Sequence, residues 1–410
     1  MRKYHTKNTI RYFILVAIFF VFLFFTNDFG LIDIQKTAII LAAGIDRDEE
    51  GFIVTSQVAI PNPSEQGKST NTVQIVSHGK TVADAFGDIN AKTGWYPKLV
   101  FCNLIILGED TVEQNVFDAL DYFLLDEYLS DNCLVATCEG KATDILNTTA
   151  LVEDSSSAAI EKILSPHAER VGTVLTATLR TFSMLYYDNN ACGMLPVVKL
   201  KNQQEPSTKE SQPTQPAQNG QNQQSNQSSQ SSGGKNANQK EMPVFSAEET
   251  ALFKNGKRVG TLTAEETFTT NALLRKLRLA SYSVTTQNIP CTLTIKQNAP
   301  KLKFKVSKKG IATLQIDLTL TVGLLDYAKA LPVDEIKDMG DVPAGAFSAA
   351  QKKLAGEISA LFEKTRALDC DLFRLRDRFR KMGNVNYTKY EGDLLKNTVL
   401  EINVRFQNVR

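Results

Sequence analysis

Gly79-Lys80-Thr81, just ahead of a stretch with helical periodicity, is a first candidate for chemistry, because a phosphate-cradling loop ends in these residue types where it meets its helix. That loop also requires a glycine five residues before Gly79, and Gln74 stands there. The tripeptide therefore reads as a strand-turn-helix connection with Thr81 as the helix cap. Asp46, Asp48, Glu50 and Gly51 resemble the start of a calcium-binding EF-hand loop, but its twelfth position must be a bidentate Glu and is here Gln57. Strands flank it where an EF-hand has helices, so a solvated hairpin turn is the simpler reading. Histidines are few (His5, His78 and His167), and no pair is spaced as metal ligands or set in a recognisable triad. Arg374, Arg376, Arg378, Arg380 and Lys381, interleaved with Phe373 and Phe379, have the chemistry to touch RNA or lipid headgroups. The plainer reading places them near a helix C-terminus, where the helix dipole favours cations. Paired carboxylates can meet from anywhere in a fold and are not testable by spacing. No catalytic, cofactor-binding or metal-ligating residue is assigned, no cofactor is implied, and the chain reads as a protein that is not an enzyme.

Cysteine chemistry is equally sparse. None of Cys102, Cys133, Cys138, Cys192, Cys291 and Cys370 forms a C-x-x-C pair, and six in 410 residues make no disulfide scaffold. Cys133 and Cys138 lie in one apolar strand, where five residues of spacing put them on opposite faces about 16 Å apart. They cannot bridge each other and read as small buried apolar side chains. The 46 basic and 45 acidic side chains nearly cancel, which removes the footprint of a protein that neutralises many phosphates. Nucleic acid is thereby excluded as a partner.

A chain of 410 residues exceeds what one hydrophobic core usually serves, and several elements can be placed. Arg2, Lys3, Lys7 and Arg11 precede an apolar run from Tyr12 to Phe25, with Asp28 and Asp33 beyond it. With Ile10, Arg11 and Thr26 the run approaches the lower length limit for a membrane span. No small-x-small cleavage site follows, so residues 1–33 read as a cytoplasmic basic tail and an uncleaved signal anchor that contacts membrane lipid. Ala38 to Ile45 and Phe52 to Ile60 form a hairpin around a polar turn, with a third strand at Val73 to Val76 and a helix from Thr81 to about Ile89. A strand over Leu99 to Leu107, an amphipathic helix over Thr111 to Leu125, a strand over Cys133 to Glu139 and a short helix over Lys141 to Leu146 complete a mixed α/β domain, 34–150. Residues 154 to 187 read as two helical pieces, and Met194 to Leu200 as extended.

Residues 201–243 are Gln/Asn/Ser-rich and cannot bury enough surface to offset their ordering entropy, so they read as a disordered tether interrupting a second domain, 151–270. Beyond it, Asn255-Gly256 supplies the positive-φ pair of a type I′ hairpin turn within Thr250 to Leu262. Cys291 to Lys296, Leu302 to Val306 and Ala312 to Val322 alternate as strands, and Thr398 to Phe406 is a last one. Between them, apolar residues from Leu354 to Phe379 recur at three- and four-residue steps, predicting a long helix over 346–380 packed on a sheet, in a C-terminal domain 271–410.

Read in order, these elements resemble the Ger(x)C family, the C subunits of spore nutrient-germinant receptors. The carrying residues are Thr37 to Asp46 with Gly51 and Val54 to Gln57, Ser77 to Thr81, Leu104 to Gly108, Ala251 to Lys254 with Val259 to Leu262, and Cys370-Asp371-Leu372-Phe373. The resemblance implies an α+β (mixed α/β) architecture, an N-terminal anchor followed by three small mixed α/β domains with largely antiparallel sheets. It implies a non-enzymatic subunit required for spore germination, on the extracytoplasmic face of the spore inner membrane beside integral membrane A and B subunits. Relatives are typically lipoproteins, whereas the first cysteine here is Cys102 and a hydrophobic anchor stands instead; the tether is an insertion. Two other functions compete: an extracytoplasmic solute-binding protein, which needs a concave pocket between lobes, and an anchored envelope hydrolase, which needs a polar catalytic cluster.

Overall fold

The computed structural model describes residues 2–25, 36–60, 71–150, 153–165, 170–188, 192–202, 243–286, 288–307, 311–328, 342–343, 345–382 and 394–409. The first element, α1 (Arg2–Phe25), is helical, and its side chains from Ile10 to Val21 are all exposed. Among the described residues no helix is long and apolar enough to cross a membrane; the side chains of α1 are described over that stretch alone.

The hairpin of β1 (Thr37–Arg47) and β2 (Phe52–Ile60) forms around its polar turn, with Asp48 accepting hydrogen bonds from the backbone of Glu50 and Gly51. β3 (Asn71–Gly79) pairs with β2, and Thr81 caps α2 (Val82–Thr93) by accepting from the Asp84 amide at 3.1 Å. Then follow β4 (Tyr96–Lys98), β5 (Leu104–Leu107), α3 (Glu109–Glu113), α4 (Phe117–Leu125), β6 (Leu134–Cys138), α5 (Ala142–Asn147), α6 (Ser156–Leu164) and α7 (Leu179–Tyr186). β7 (Cys192–Asn202), β8 (Pro243–Lys254) and β9 (Lys257–Leu262) complete a nine-stranded sheet in the order β3-β2-β1-β5-β6-β7-β8-β9, with β4 beside β1. Its centre is parallel, because helical crossovers join β5 to β6 and β6 to β7; its two flanks are antiparallel. Helices cover both faces. Ile105, Leu107 and Val135 pack under α2, α4 and α7, while Leu104, Ile106 and Ala136 pack under α5 and α6.

The second sheet contains β10 (Ser281–Thr286), β11 (Ile289–Val306), β12 (Ala312–Tyr327) and β13 (Thr398–Asn408), in that order. The first three are antiparallel, and β13 lies parallel to β12. One face is covered by α8 (Ala264–Leu273), α9 (Ala346–Ala367), α10 (Leu375–Lys381) and α11 (Leu394–Asn397). The whole is mixed α/β with mostly antiparallel pairing.

Several expectations change. The strand expected from Leu99 shortens to β5, because residues 99–103 turn to bring β4 and β5 onto one side of β1. The helix expected over 111–125 splits into α3 and α4 at Asn115, whose carbonyl side-chain oxygen accepts from the Phe117 amide. The continuous helix expected over 346–380 is also two, α9 and α10, separated by a turn in which Asp369 and Arg374 take positive φ. Lys201, Asn202 and Pro243, assigned above to the tether, are strand residues, with Asn202 opposite Pro243; the remainder, 203–242, lies outside the described residues. The nine-stranded sheet runs across the expected boundary at residue 150, and α8 runs across that at 270, burying Phe268 and Ala272 in the C-terminal core.

Candidate functional site: the seam between the sheets

The turn between α9 and α10 is where the two sheets meet. Asp and Cys are weak helix formers, and Asp tolerates the left-handed region better than most residues, so Leu368-Asp369-Cys370-Asp371 is a natural breaking point despite its apolar spacing. Cys370 is fully buried against Cys192 of β7 and the carbonyl of Phe253 in β8. The two thiols are hydrogen-bonded to each other, and the Asp371 amide donates to Cys192 Sγ at 3.1 Å. The shared hydrogen bond pulls Cys192 below the ordinary thiol value and pushes Cys370 well above it. Asp371 itself caps α10, accepting from the amides of Leu375 at 3.0 Å and Arg376 at 2.9 Å; burial nevertheless raises its carboxyl. Phe373 packs on Phe362 of α9 with ring centroids 5.4 Å apart. Leu368 reaches the first sheet closely: a Cβ at Gly260 would lie 2.7 Å from its Cδ1.

Ion pairs close the seam around this apolar plug. Asp369 bridges Lys254 of β8 and Arg376 of α10, the latter at 2.8 Å. Arg374 pairs with Asp188 at 2.7 Å, and Lys364 with Glu266 of α8 at 2.6 Å. Beside them lies an apolar cavity of about 320 Å³, walled by Leu175, Phe182, Leu185 and Met194 from the first sheet's side and Leu274 and Leu372 from the other. Its polar edge is Lys276, which donates to the Thr176 carbonyl, and Arg374. Among the described residues no nucleophile and base meet in it; what the arrangement can do is hold two rigid sheets in one relation, or let that relation shift.

Comparison with known proteins decides the family. Residues 31–200 match the model of the spore germination protein N-terminal domain, and residues 248–409 match that of the spore germination B3/GerAC-like C-terminal domain. The chain belongs to the Ger(x)C family of spore germination proteins. Spore germination protein B3 of Bacillus subtilis (strain 168) is similar at 22% identity over 316 residues, 72% of this chain and 73% of the relative. The crystal structure of the GerBC protein shares the fold, with a TM-score of 0.51 at 17% identity over 90% of this chain and 97% of that one.

Several of the segments that carried the Ger(x)C resemblance fall on structural joints. Cys370 to Phe373 is the seam plug itself. Asp46, weighed above as a calcium ligand, instead holds α5: its carboxylate accepts from the amides of Ala142 at 2.7 Å and Thr143 at 2.9 Å and from Thr143 Oγ1 at 2.7 Å. Gly108 packs against it so tightly that a Cβ there would lie 2.0 Å from Asp46 Oδ1. Gly79-Lys80-Thr81 is a strand-to-helix turn, and Gly79 and Lys80 line a shallow groove with residues of the β1–β2 turn.

His78 is exposed, with its amide bonded to Asp88; His5 and His167 lie outside the described side chains. Among the described residues no group of His, Cys, Asp and Glu is arranged to hold a metal. Of the basic cluster, Arg378, Arg380 and Lys381 occupy the last turn of α10, as the dipole argument requires. Arg374 and Arg376 do not, because the break puts them at that helix's start, where Asp188 and Asp369 neutralise them. Cys133 finds Cys102, not Cys138, as its thiol neighbour, and their hydrogen bond raises Cys133 well above the usual value. All six cysteines are buried thiols, and none is joined in a disulfide.

Proposed function

We propose that this chain is a non-enzymatic subunit of a nutrient-germinant receptor complex, required for germination and working through its surfaces beside integral membrane A and B subunits. The observation that carries this reading is the order and span of the two family domains, 31–200 then 248–409, on one chain. The chemistry of the seam agrees with it: Asp369, Asp371, Asp377, Glu266 and Arg376 are each committed to partners that hold the fold. α1 is the membrane anchor in this reading, amino end inside and the rest on the outer face of the spore inner membrane. Support comes from the basic flank at Arg2, Lys3, Lys7 and Arg11 and from the exposed apolar side chains of Ile10 to Val21.

Removing the chain should abolish germination to one set of nutrients while leaving spore formation and non-nutrient triggers intact. It should also lower the abundance of the membrane subunits, since a complex missing a member loses the stabilisation that binding provides. Unchanged response to every nutrient, in a cell with no second copy, refutes the assignment. Rescue that depends on single acidic side chains with the fold intact would point to the hydrolase.

A further inference from the structure

The parallel strands β1, β5 and β6 all begin at one edge of the nine-stranded sheet, so the connections entering them gather there. Residues 94–103 lead through β4 into β5, with Tyr96 opposite Thr37, the first residue of β1. Residues 126–133 lead into β6, whose Leu134 pairs with Leu104 at the start of β5. These connections, with the end of α4, expose six large apolar side chains: Trp95, Tyr96, Val100, Phe101, Leu125 and Tyr128. Phe101 is 56% exposed, Tyr128 60% and Leu125 82%. Lys98 Nζ sits 4.9 Å over the Tyr128 ring and ties the two connections into one surface. An apolar patch of this kind, unburied by the fold's own helices, marks a surface with a partner.

We propose that this edge faces lipid, its aromatic side chains seated in the headgroup layer of the membrane that holds α1. The inference deepens the function proposed above and rests on its anchor. Composition favours the bilayer: Trp, Tyr and a snorkelling Lys are the residues of membrane-water interfaces, each having an apolar body and a polar tip. Chain continuity favours it too. α1 ends at Phe25 and β1 begins at Thr37, and the twelve residue steps between them reach at most about 43 Å. An anchored α1 therefore keeps this edge, where the chain enters the sheet, within that reach of the membrane surface. Charge argues against a polybasic contact, since Asp126, Glu127 and Asp131 share the edge with Lys98 and Arg180. Apolar insertion is then the attraction, and it should be insensitive to salt.

Trp95 is the single tryptophan of the chain and reports on this surface alone. The full-length protein is reconstituted into phosphatidylcholine vesicles containing lipids brominated at shallow or deep acyl positions, and anchoring is scored separately by flotation after an alkaline wash. Expected is loss of Trp95 fluorescence with the shallow-brominated lipid, weaker loss with the deep one, and no change between low and high salt. The double variant Phe101→Ser, Tyr128→Ser should reduce the quenching while flotation and melting temperature stay unchanged, because both side chains are exposed. A chain that floats while Trp95 stays unquenched and open to aqueous iodide overturns the lipid-facing edge and leaves the anchor standing. Shielding of Trp95 that appears only when the membrane subunits are added overturns it in favour of a protein contact. Failure to float overturns anchor and edge together.

Discussion

The two sheets solve the same burial problem differently. In the nine-stranded sheet, β5 and β6 are buried on both faces, so every residue of Leu104-Ile-Ile-Leu107 and Leu134 to Cys138 is inside. In the four-stranded sheet, β12 alternates buried and half-buried positions along most of its length, because the described helices cover one face. Parallel strands need crossover helices, and those helices cover both faces; antiparallel strands joined by short turns leave one face open. The difference teaches where each unit is vulnerable: the first in its interior chemistry, the second in the single helical layer of α9 and α10 that also builds the seam.

The largest effect should come from emptying each core. Phe123→Ala in α4 and Phe362→Ala in α9 each remove a fully buried ring and should cost about 3–5 kcal/mol. If the seam couples the sheets, both variants lower one common thermal transition, read by calorimetry of the full chain. Two transitions, each moved by only one of the variants, would separate the units. Next is Asp46→Ala, confined to the first sheet. It leaves the Ala142 and Thr143 amides without their acceptor in a buried place and should cost about 2–3 kcal/mol. A loss below about 0.5 kcal/mol would mean that water replaces the carboxylate.

Legibility in the sequence follows the same division. The β1–β2 hairpin, the Thr81 cap and the Asn255-Gly256 turn were readable because each depends on neighbours in the chain; both Asn255 and Gly256 take positive φ. β12 was readable from its period of two. β10 was missed, since Ser281 to Thr286 offers only Tyr282 and Val284 as buried apolar positions before its Thr end. The break in the expected helix was missed because Leu368, Leu372, Leu375 and Phe379 keep helical spacing through it. What fixes the turn at this weak point is Cys192 and Lys254, residues far away in sequence that only the fold brings to Cys370 and Asp369. The seam was present in the sequence only as the Cys370-to-Phe373 motif, with no local signal of what it joins.

A third prediction tests the seam's electrostatics. Burial alone would raise the carboxyl of Asp369, but its bonds to Lys254 and Arg376 outweigh that and hold it below the ordinary value of 3.8. A depressed folded value means that the carboxylate contributes stability above the unfolded value, lost as pH falls through the folded one. Asp369→Asn should therefore destabilise by about 0.5–1 kcal/mol at pH 7, a figure kept small because the side chain is partly solvated. The two proteins should converge in melting temperature below pH 3.8, if both remain folded there. A constant difference at all pH would show that Asn loses packing and not charge.

The smallest effect, and the sharpest test of the second unit, has the opposite sign. Glu357 sits on α9 beneath Tyr282 of β10, accepting from the Tyr282 hydroxyl at 3.1 Å and from Thr269 Oγ1 at 3.4 Å. Burial raises its carboxyl above the ordinary 4.5, although Lys353, 3.7 Å away, pulls it down. With the folded value above the unfolded one, the native state prefers the protonated acid, so this group's contribution is full below 4.5 and is lost as pH rises through the folded value. Glu357→Gln keeps an oxygen for both hydroxyls and removes the charge that burial disfavours. It should match the parent near pH 4 and gain up to about 0.5 kcal/mol at pH 7, seen as a flatter dependence of melting temperature on pH. Lys353 loses little, since it also donates to the Ser283 carbonyl at 3.0 Å and lies over the Tyr282 ring. A variant less stable than the parent at pH 7 but equal to it at pH 4 would mean that the Lys353 pair outweighs desolvation. The one-sided helical layer would then be held by charge as the seam is, and the contrast between the two would fall.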